Sequence, residues 1–190
     1  MPHLLIKDLP RYECLIEASK RFPELDPSAC EAFLHLVRAG DEAFLVVAQN
    51  LTQHQISPGR FGVLMLLAQN SCNEDCTQGV ESAGMTPAEL ADNARVTRAT
   101  MTGLVDTLER DGFVSRTTDS HDRRMMRICL TPKAHDFLEK LLPGHFRLMA
   151  DLMSPLSEAE RKTMVKLINK VLQHASTLNA APVATAPAVA

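Results

Sequence analysis

The sequence predicts a mainly α-helical protein that carries one small two-stranded sheet, and three observations point there. Apolar residues recur at helical spacing along much of the chain, as in Phe33, Leu36, Val37, Phe44, Val47 and Leu51. Helix starts are written out as Asp26-Pro27, Thr86-Pro87-x-Glu89 and Ser157-x-x-Glu160. Only between Phe113 and Leu130 does the apolar period change to two.

The elements follow in order. A first helix spans about Leu9 to Phe22 and stops before Pro23. A second opens at Asp26-Pro27 and runs to about His54, a length that calls for a partner along it. Ser57-Pro58 starts a third, apolar through Phe61, Leu64, Met65, Leu67 and Ala68. From Gln69 to Gly84 the chain is polar and without period, which predicts a loop. A brief helix covers Ala88 to Asn93, followed by the turn Ala94-Arg95-Val96. Thr97 caps the next helix, which ends at Asp111-Gly112 and has an apolar face of Met101, Leu104, Val105 and Leu108. Its opposite face carries Arg98, Thr100, Thr102 and Asp106. Two strands at 113–118 and 125–130 flank a polar tip, Asp119 to Arg124. Thr131-Pro132 opens a helix to about Met153, with Pro143-Gly144 expected to bend or break it. Ser157 opens the last helix, and 180–190, built of Ala, Pro, Val and Thr, is expected to be a disordered tail.

Composition narrows the class. The 190 residues suffice for one domain with extra helices. Aromatic residues make up 4%, with no Trp, so the core is Leu, Val, Ala and Met, which suits helices better than sheet. No apolar run approaches the roughly 20 residues that span a bilayer. Met1 to Pro10 lacks the pattern of a signal peptide, so a cytoplasmic location with no membrane partner is expected. Five scattered cysteines do not make a disulfide framework. Net charge is -3, yet 95–127 holds seven arginines against five acids, a local +2 on an acidic body. That distribution suits a protein that touches nucleic acid with one face.

Short helix, tight turn, longer helix with a polar outer face, then a hairpin: together these predict a winged helix-turn-helix with a two-stranded β wing. A helix fits the major groove, and its N-terminal residues reach base edges. Here that end is Thr97 to Thr102. Its free N–H groups also favour a phosphate. Arg98 can take guanine or a phosphate bidentately, and Thr100 and Thr102 allow close approach. Arg95 lies at the turn. Arg123 and Arg124 stand on the wing tip, where an arginine can enter a narrow A·T-rich minor groove. The plainer alternative is a helical interaction module with a solvated arginine face.

The stretch Thr86 to Leu130 strongly resembles the MarR family of bacterial transcription regulators. The carrying residues are Thr86-Pro87-Ala88-Glu89-Leu90-Ala91, Val96-Thr97-Arg98-Ala99-Thr100-Met101-Thr102, and Leu104-Val105-Asp106-x-Leu108-Glu109-Arg110-Asp111-Gly112-Phe113-Val114. Asp122-Arg123-Arg124 and Leu130-Thr131 complete the match, which extends less sharply over about Asp26 to Leu178. The resemblance implies a homodimer with N- and C-terminal dimerisation helices, and a repressor gripping double-stranded DNA at a pseudo-palindromic operator. It implies release by a small, often phenolic or aromatic acid effector. It assigns base contacts to Arg98, Thr100 and Thr102 and the minor groove to Arg123. The domains expected are an extension at 1–25, a regulator domain at 26–179 and the tail. Within the regulator domain the DNA-binding lobe is 57–131, and the dimerisation helices are 26–54 and 132–179. Departures are Ala134 where a glycine often stands, the long 69–84 loop and the extra N-terminal helix. The last two bear on the effector more than on DNA.

For the effector, the resemblance places a cleft between the DNA-binding lobe and the dimer helices. His35, Arg38 and Arg60 are candidates there for a carboxylate, with Phe61 and Met65 as apolar wall. The alternative for each charge is a solvated or interface role. His145 is read as part of the helix bend. Cys72-x-x-x-Cys76 offers a redox or metal-responsive alternative, but Glu74 and Asp75 beside it would raise both thiol pKa values and dull them. No phosphate loop, His-Glu-x-x-His or ordered nucleophile and base is present, so neither an enzyme nor a cofactor is expected.

Overall fold

The computed structural model describes residues 8–73, 84–118 and 125–180. The elements are α1 (Tyr12–Arg21), α2 (Pro27–Gln53), α3 (Pro58–Asn73), α4 (Pro87–Ala94), α5 (Arg98–Arg110), β1 (Val114–Thr118), β2 (Met126–Leu130), α6 (Pro132–Leu152) and α7 (Glu158–Ala180). The chain forms two compact units, 1–146 and 147–190.

In the first unit, α1 packs on α2 and buries Leu15. It starts at Tyr12 rather than Leu9, because a residue before proline is driven out of the helical region. The α2 cap is as the sequence predicts: Asp26 Oδ1 accepts the backbone N–H groups of Ser28 at 2.9 Å and Ala29 at 3.1 Å. The Ala29 N–H, with the Ser28 hydroxyl, holds the Asp26 carboxyl below the usual range.

α3 extends to Asn73, into the stretch expected to be loop from Gln69. A helix already formed adds each further residue at little cost. Gln69 to Asn73 contains neither glycine nor proline to stop it. Residues 74–83 of the expected loop lie outside the described residues, as does the tail at 181–190.

The core gathers Leu51 of α2, Val63, Leu64 and Leu67 of α3, Leu90 of α4, Met101, Val105 and Leu108 of α5, and Ile128 of β2. Ala134, Leu138 and Leu141 of α6 join it. The sheet is a single antiparallel pair in the register Val114 with Leu130 through Thr118 with Met126. A further bridge joins Met85, just before α4, to Ile128 in both directions, at 3.1 and 2.8 Å. Gly84 is forced there, since a Cβ would lie 2.5 Å from Cys129 Sγ and 3.0 Å from the Ile128 carbonyl oxygen.

α6 is not broken at Pro143-Gly144. Proline takes the bond from the carbonyl four residues back, here Glu139. Glu139, Pro143 and Gly144 are all exposed, so water can satisfy the freed carbonyl. His145, read as part of the bend, is instead buried, its ring edge-on to Phe61 with centroids 4.9 Å apart.

The second unit contains the capping box that the sequence spells. Ser157 N–H donates to Glu160 Oε2 at 2.7 Å, and the Glu160 N–H returns to Ser157 Oγ at 3.4 Å. The Ser157 hydroxyl on that carboxylate lowers its pKa. Val165, Leu167, Val171, Leu172 and Leu178 are exposed along α7.

Candidate nucleic-acid interface

The site is built from α4, its turn and α5. Thr86 begins α4 with a closed capping box: its hydroxyl accepts the Glu89 N–H at 3.2 Å while Glu89 Oε2 accepts the Thr86 N–H at 2.8 Å. Leu90 and Ala91 bury the inner side of this helix. α4 stops because Arg95 takes a left-handed conformation, φ 52° and ψ 43°, and its N–H bonds back to the Asp92 carbonyl. A side chain in that region carries a strain that glycine would not. The turn then delivers Thr97, whose hydroxyl caps α5 by accepting the Thr100 N–H at 3.1 Å.

The two faces of α5 differ sharply. Met101 and Leu108 are 0% exposed and Val105 1%, so the helix is locked into the core. Arg98, Thr100 and Thr102 are exposed on the other side, with Arg95 and Thr97 exposed at the entry. Among the described residues neither Arg95 nor Arg98 has a carboxylate partner. The Thr102 hydroxyl donates to the Arg98 carbonyl at 2.9 Å, so toward an incoming group it can only accept. Thr97 and Thr100 hydroxyls lie 2.8 Å apart. This is a chemically mixed end: unpaired cations, hydroxyl groups and free backbone N–H groups.

The wing is tied to this helix by a residue that the sequence reading passed over. Arg116 of β1 reaches both Asp106, through Nη2, and Glu109, through Nη1 at 2.8 Å. The Asp106 contact raises the Arg116 pKa further. The signal was present: two acids one turn apart on α5 and one arginine on the following strand. Arg127 of β2 also escaped notice, and its Nη1 donates to the Gly84 carbonyl at 2.6 Å. Arg123 and Arg124, assigned to the tip, lie outside the described residues, which the β1–β2 ladder leads into at Thr118 and Met126.

The five effector candidates occupy different settings. His35 is exposed on α2. Arg38 Nη2 faces Glu42 at 2.6 Å, one turn on. Arg60 Nη2 faces Asp111 at 2.5 Å, and its buried Nε has no hydrogen-bond partner among the described residues. Phe61 packs on His145, whose buried Nδ1 is also unpartnered. Met65 lines a cavity of about 390 Å³ together with Gly59, Gly62, Leu66, Val96 and Leu104, a wall that does not include Phe61. The Cys72 side chain and Cys76 lie outside the described residues.

The MarR family model matches residues 80–126, which contain α4, the turn, α5, β1 and the first residue of β2. The chain is 33% identical over 171 residues to the HTH-type transcriptional repressor YetL of Bacillus subtilis, covering 90% of this chain and 96% of that one. Its fold is similar to that of Sco3205, a MarR family transcriptional regulator from Streptomyces coelicolor solved in complex with DNA. There the TM-score is 0.66 at 20% identity, over 86% of this chain and 95% of that one. It is also similar to Bordetella bronchiseptica BpsR, with TM-score 0.58 at 22% identity over 72% of this chain and 89% of that one; the BpsR structure is described as showing regulation of DNA binding by 6-hydroxynicotinic acid. Matched along nearly its whole length by a relative this similar, and built around a capped helix-turn-helix with a β wing, the chain belongs to the MarR family of winged helix-turn-helix transcriptional regulators.

Proposed function

We propose that the chain is a homodimeric repressor that sets the N-terminal half of α5 in the major groove of a pseudo-palindromic operator, with Arg123 and Arg124 of the wing reaching the adjacent minor groove. The carrying observation is the division of α5 between a buried face at 1% exposure or less and an exposed face of unpaired Arg98 and capped hydroxyls. A helix held this firmly presents its N-terminal side chains in fixed register, as groove reading requires. Arg95, Thr97, Thr100 and Thr102 complete the contact surface. The relatives support the reading: YetL is named a repressor and Sco3205 was solved with DNA.

A second copy accounts for the apolar residues that α2 and α7 expose. Phe33, Phe44 and Leu45 on α2 are each half exposed or more, and Val165, Leu167 and Leu172 on α7 likewise. Singly these need no explanation, but rows along long helices favour a partner. On this reading 26–54 and 132–179 are the dimerisation helices and 57–131 is the DNA-binding lobe, with 1–25 and 180–190 flanking the regulator domain 26–179. A cytoplasmic location fits such a regulator.

Release by a small aromatic acid is the finer part of the proposal. BpsR is described as regulated by 6-hydroxynicotinic acid, itself one. The buried, unpartnered Nε of Arg60 and Nδ1 of His145, with Phe61 beside the latter, supply the polar and aromatic groups such a ligand would engage. His35 and Arg38 are the outer candidates, and Met65 the apolar one.

The test is a fluorescence titration of the full chain with the duplex flanking its own gene, at several salt concentrations. The logarithm of affinity should fall linearly with the logarithm of salt as phosphate-bound counterions are released. Arg98→Ala should weaken binding and relax sequence choice. Salicylate should lower operator affinity, and sedimentation should give the mass of two chains. A flat salt response sinks the DNA reading, and a monomer sinks the dimer.

A further inference from the structure

Arg60 and Asp111 form an incomplete pair. A guanidinium presents its Nε–H and one Nη2 hydrogen side by side, an edge that grips both oxygens of a single carboxylate. Asp111 takes only Nη2 of that edge, through Oδ2 at 2.5 Å, while its Oδ1 lies 3.3 Å from Arg110 Nε. The Arg60 Nε is left buried with no hydrogen-bond partner among the described residues. One carboxylate is thus divided between two arginines, and the more buried of them, at 18% side-chain exposure against 73%, is the one left short. A buried N–H without an acceptor is costly to leave so.

The pair is open to an approaching group, since the Asp111 side chain is 34% exposed. Lys133 Nζ donates to the Asp111 carbonyl at 2.7 Å, so three cations meet one carboxylate here, and a second carboxylate finds positive charge waiting. Aromatic surface adjoins it: the Phe113 centroid lies 6.0 Å from the Arg60 guanidinium and 5.0 Å from that of Phe137. The same pair ties α3 to α5, because Arg60 stands in the first turn of the one and Asp111 is the C-cap of the other. From Asp111 to Arg98 the helix runs about 20 Å, so a tilt of about 3° at the rear moves the front by about 1 Å. A polar contact that must be held to about 0.5 Å does not survive that shift.

We propose that an aromatic carboxylate releases the operator by taking the Nε–Nη2 edge of Arg60 from Asp111, which keeps Arg110, and so uncouples the end of α5 from α3. The proposal rests on the acid-effector reading above and adds to it the contact that the ligand replaces.

Salicylate and the full chain test this, with dissociation constants from calorimetry and operator affinities from the fluorescence titration. Asp111→Asn removes the competing carboxylate, so it should bind salicylate about fivefold more tightly than wild type. Without ligand it should bind the operator about fivefold more weakly, and salicylate should then lower that affinity no further. Loss of a negative charge would by itself strengthen DNA binding, so the direction of this change separates the switch from a general charge effect. Arg110→Gln, which leaves Asp111 on Arg60, should not tighten salicylate binding. Where Asp111→Asn does not fold, Arg60→Lys supplies the readout: an ammonium keeps a charge for Asp111 but offers no such edge, so salicylate affinity should fall about fivefold. The proposal is overturned if salicylate lowers operator affinity equally in wild type and Asp111→Asn, or if a folded Asp111→Asn or Arg60→Lys binds salicylate as wild type does. A wild type that binds its operator and ignores salicylate overturns the acid-effector reading and the switch with it, so the wild-type response tells the two failures apart.

Discussion

Arg60 and Asp111, 51 residues apart in sequence, meet at 2.5 Å between Nη2 and Oδ2. The first stands at the start of α3 and the second is the C-cap of α5. Lys133 Nζ donates to the backbone carbonyl of the same aspartate at 2.7 Å, and Arg110 Nε approaches its other oxygen at 3.3 Å. Phe113 lies beneath, with the Lys133 ammonium 4.9 Å and the Arg60 guanidinium 6.0 Å from its centroid. The rear end of α5 is thus fixed by three cations, while at its front end Arg98 has no carboxylate partner among the described residues.

Acid stability should depend on Asp111. Burial alone would raise its pKa, but the hydrogen bonds and charges of Arg110 and Arg60 outweigh that and bring it below the ordinary value. A carboxyl lowered in the folded state adds stability that is complete above its unfolded pKa and lost as pH falls through the folded one. Tm should therefore drop more steeply in wild type than in Asp111→Asn between about pH 5 and pH 2. Parallel curves across that window would show that the pair contributes nothing.

Arg95 separates stability from binding. Glycine adopts its left-handed conformation without strain, so Arg95→Gly should stabilise the fold by about 0.5–1 kcal/mol even as it removes a cation from the interface. Arg95→Ala should lose DNA affinity without that gain. Urea unfolding of both variants, beside operator titrations, checks the pairing of outcomes.

For Arg116 the expectation is the reverse. Its two ion pairs are partly solvated, and exposed pairs contribute about 0.2–1 kcal/mol each. Arg116→Ala should leave Tm nearly unchanged and yet reduce operator affinity, because β1 loses its tether to α5. Glu109→Gln should show part of the same loss, and a double-mutant cycle should give a nonzero coupling.

Leu108, on the buried face of α5, is 0% exposed. Leu108→Ala should cost about 2–5 kcal/mol, the transfer free energy plus a cavity. Chemical denaturation reads this directly, and a loss under 1 kcal/mol would mean that α5 is not anchored as described.

What could be seen in the sequence was local. Thr86 with Glu89 and Thr97 with Thr100 are caps that lie within one turn, so their residue types declare them. The alternation through Met126, Ile128 and Leu130 declared a strand in the same way. The α3 end at Asn73 was missed because polar residues propagate a helix as readily as they form a loop. Pro143 misled because the cost of an interior proline depends on whether water reaches the freed carbonyl, which is a property of the surface. The pairs Arg60–Asp111, Arg127–Gly84 and Arg116–Glu109 join separate elements, and no periodicity announces them. The effector set rests on the cleft that the resemblance implies and on residue chemistry, neither of which tells that Arg38 and Arg60 face carboxylates in the fold.

The bridge between Met85 and Ile128 has a consequence for how such a chain can diverge. It clamps the entrance of α4 to the base of the wing, next to a glycine that admits no side chain. On the other side, α3 is already seated by Val63, Leu64 and Leu67. A side chain gained at position 84 would therefore press on Cys129 and the Ile128 carbonyl and part α4 from the wing in one step, so this single point can change only together with both of the parts it joins.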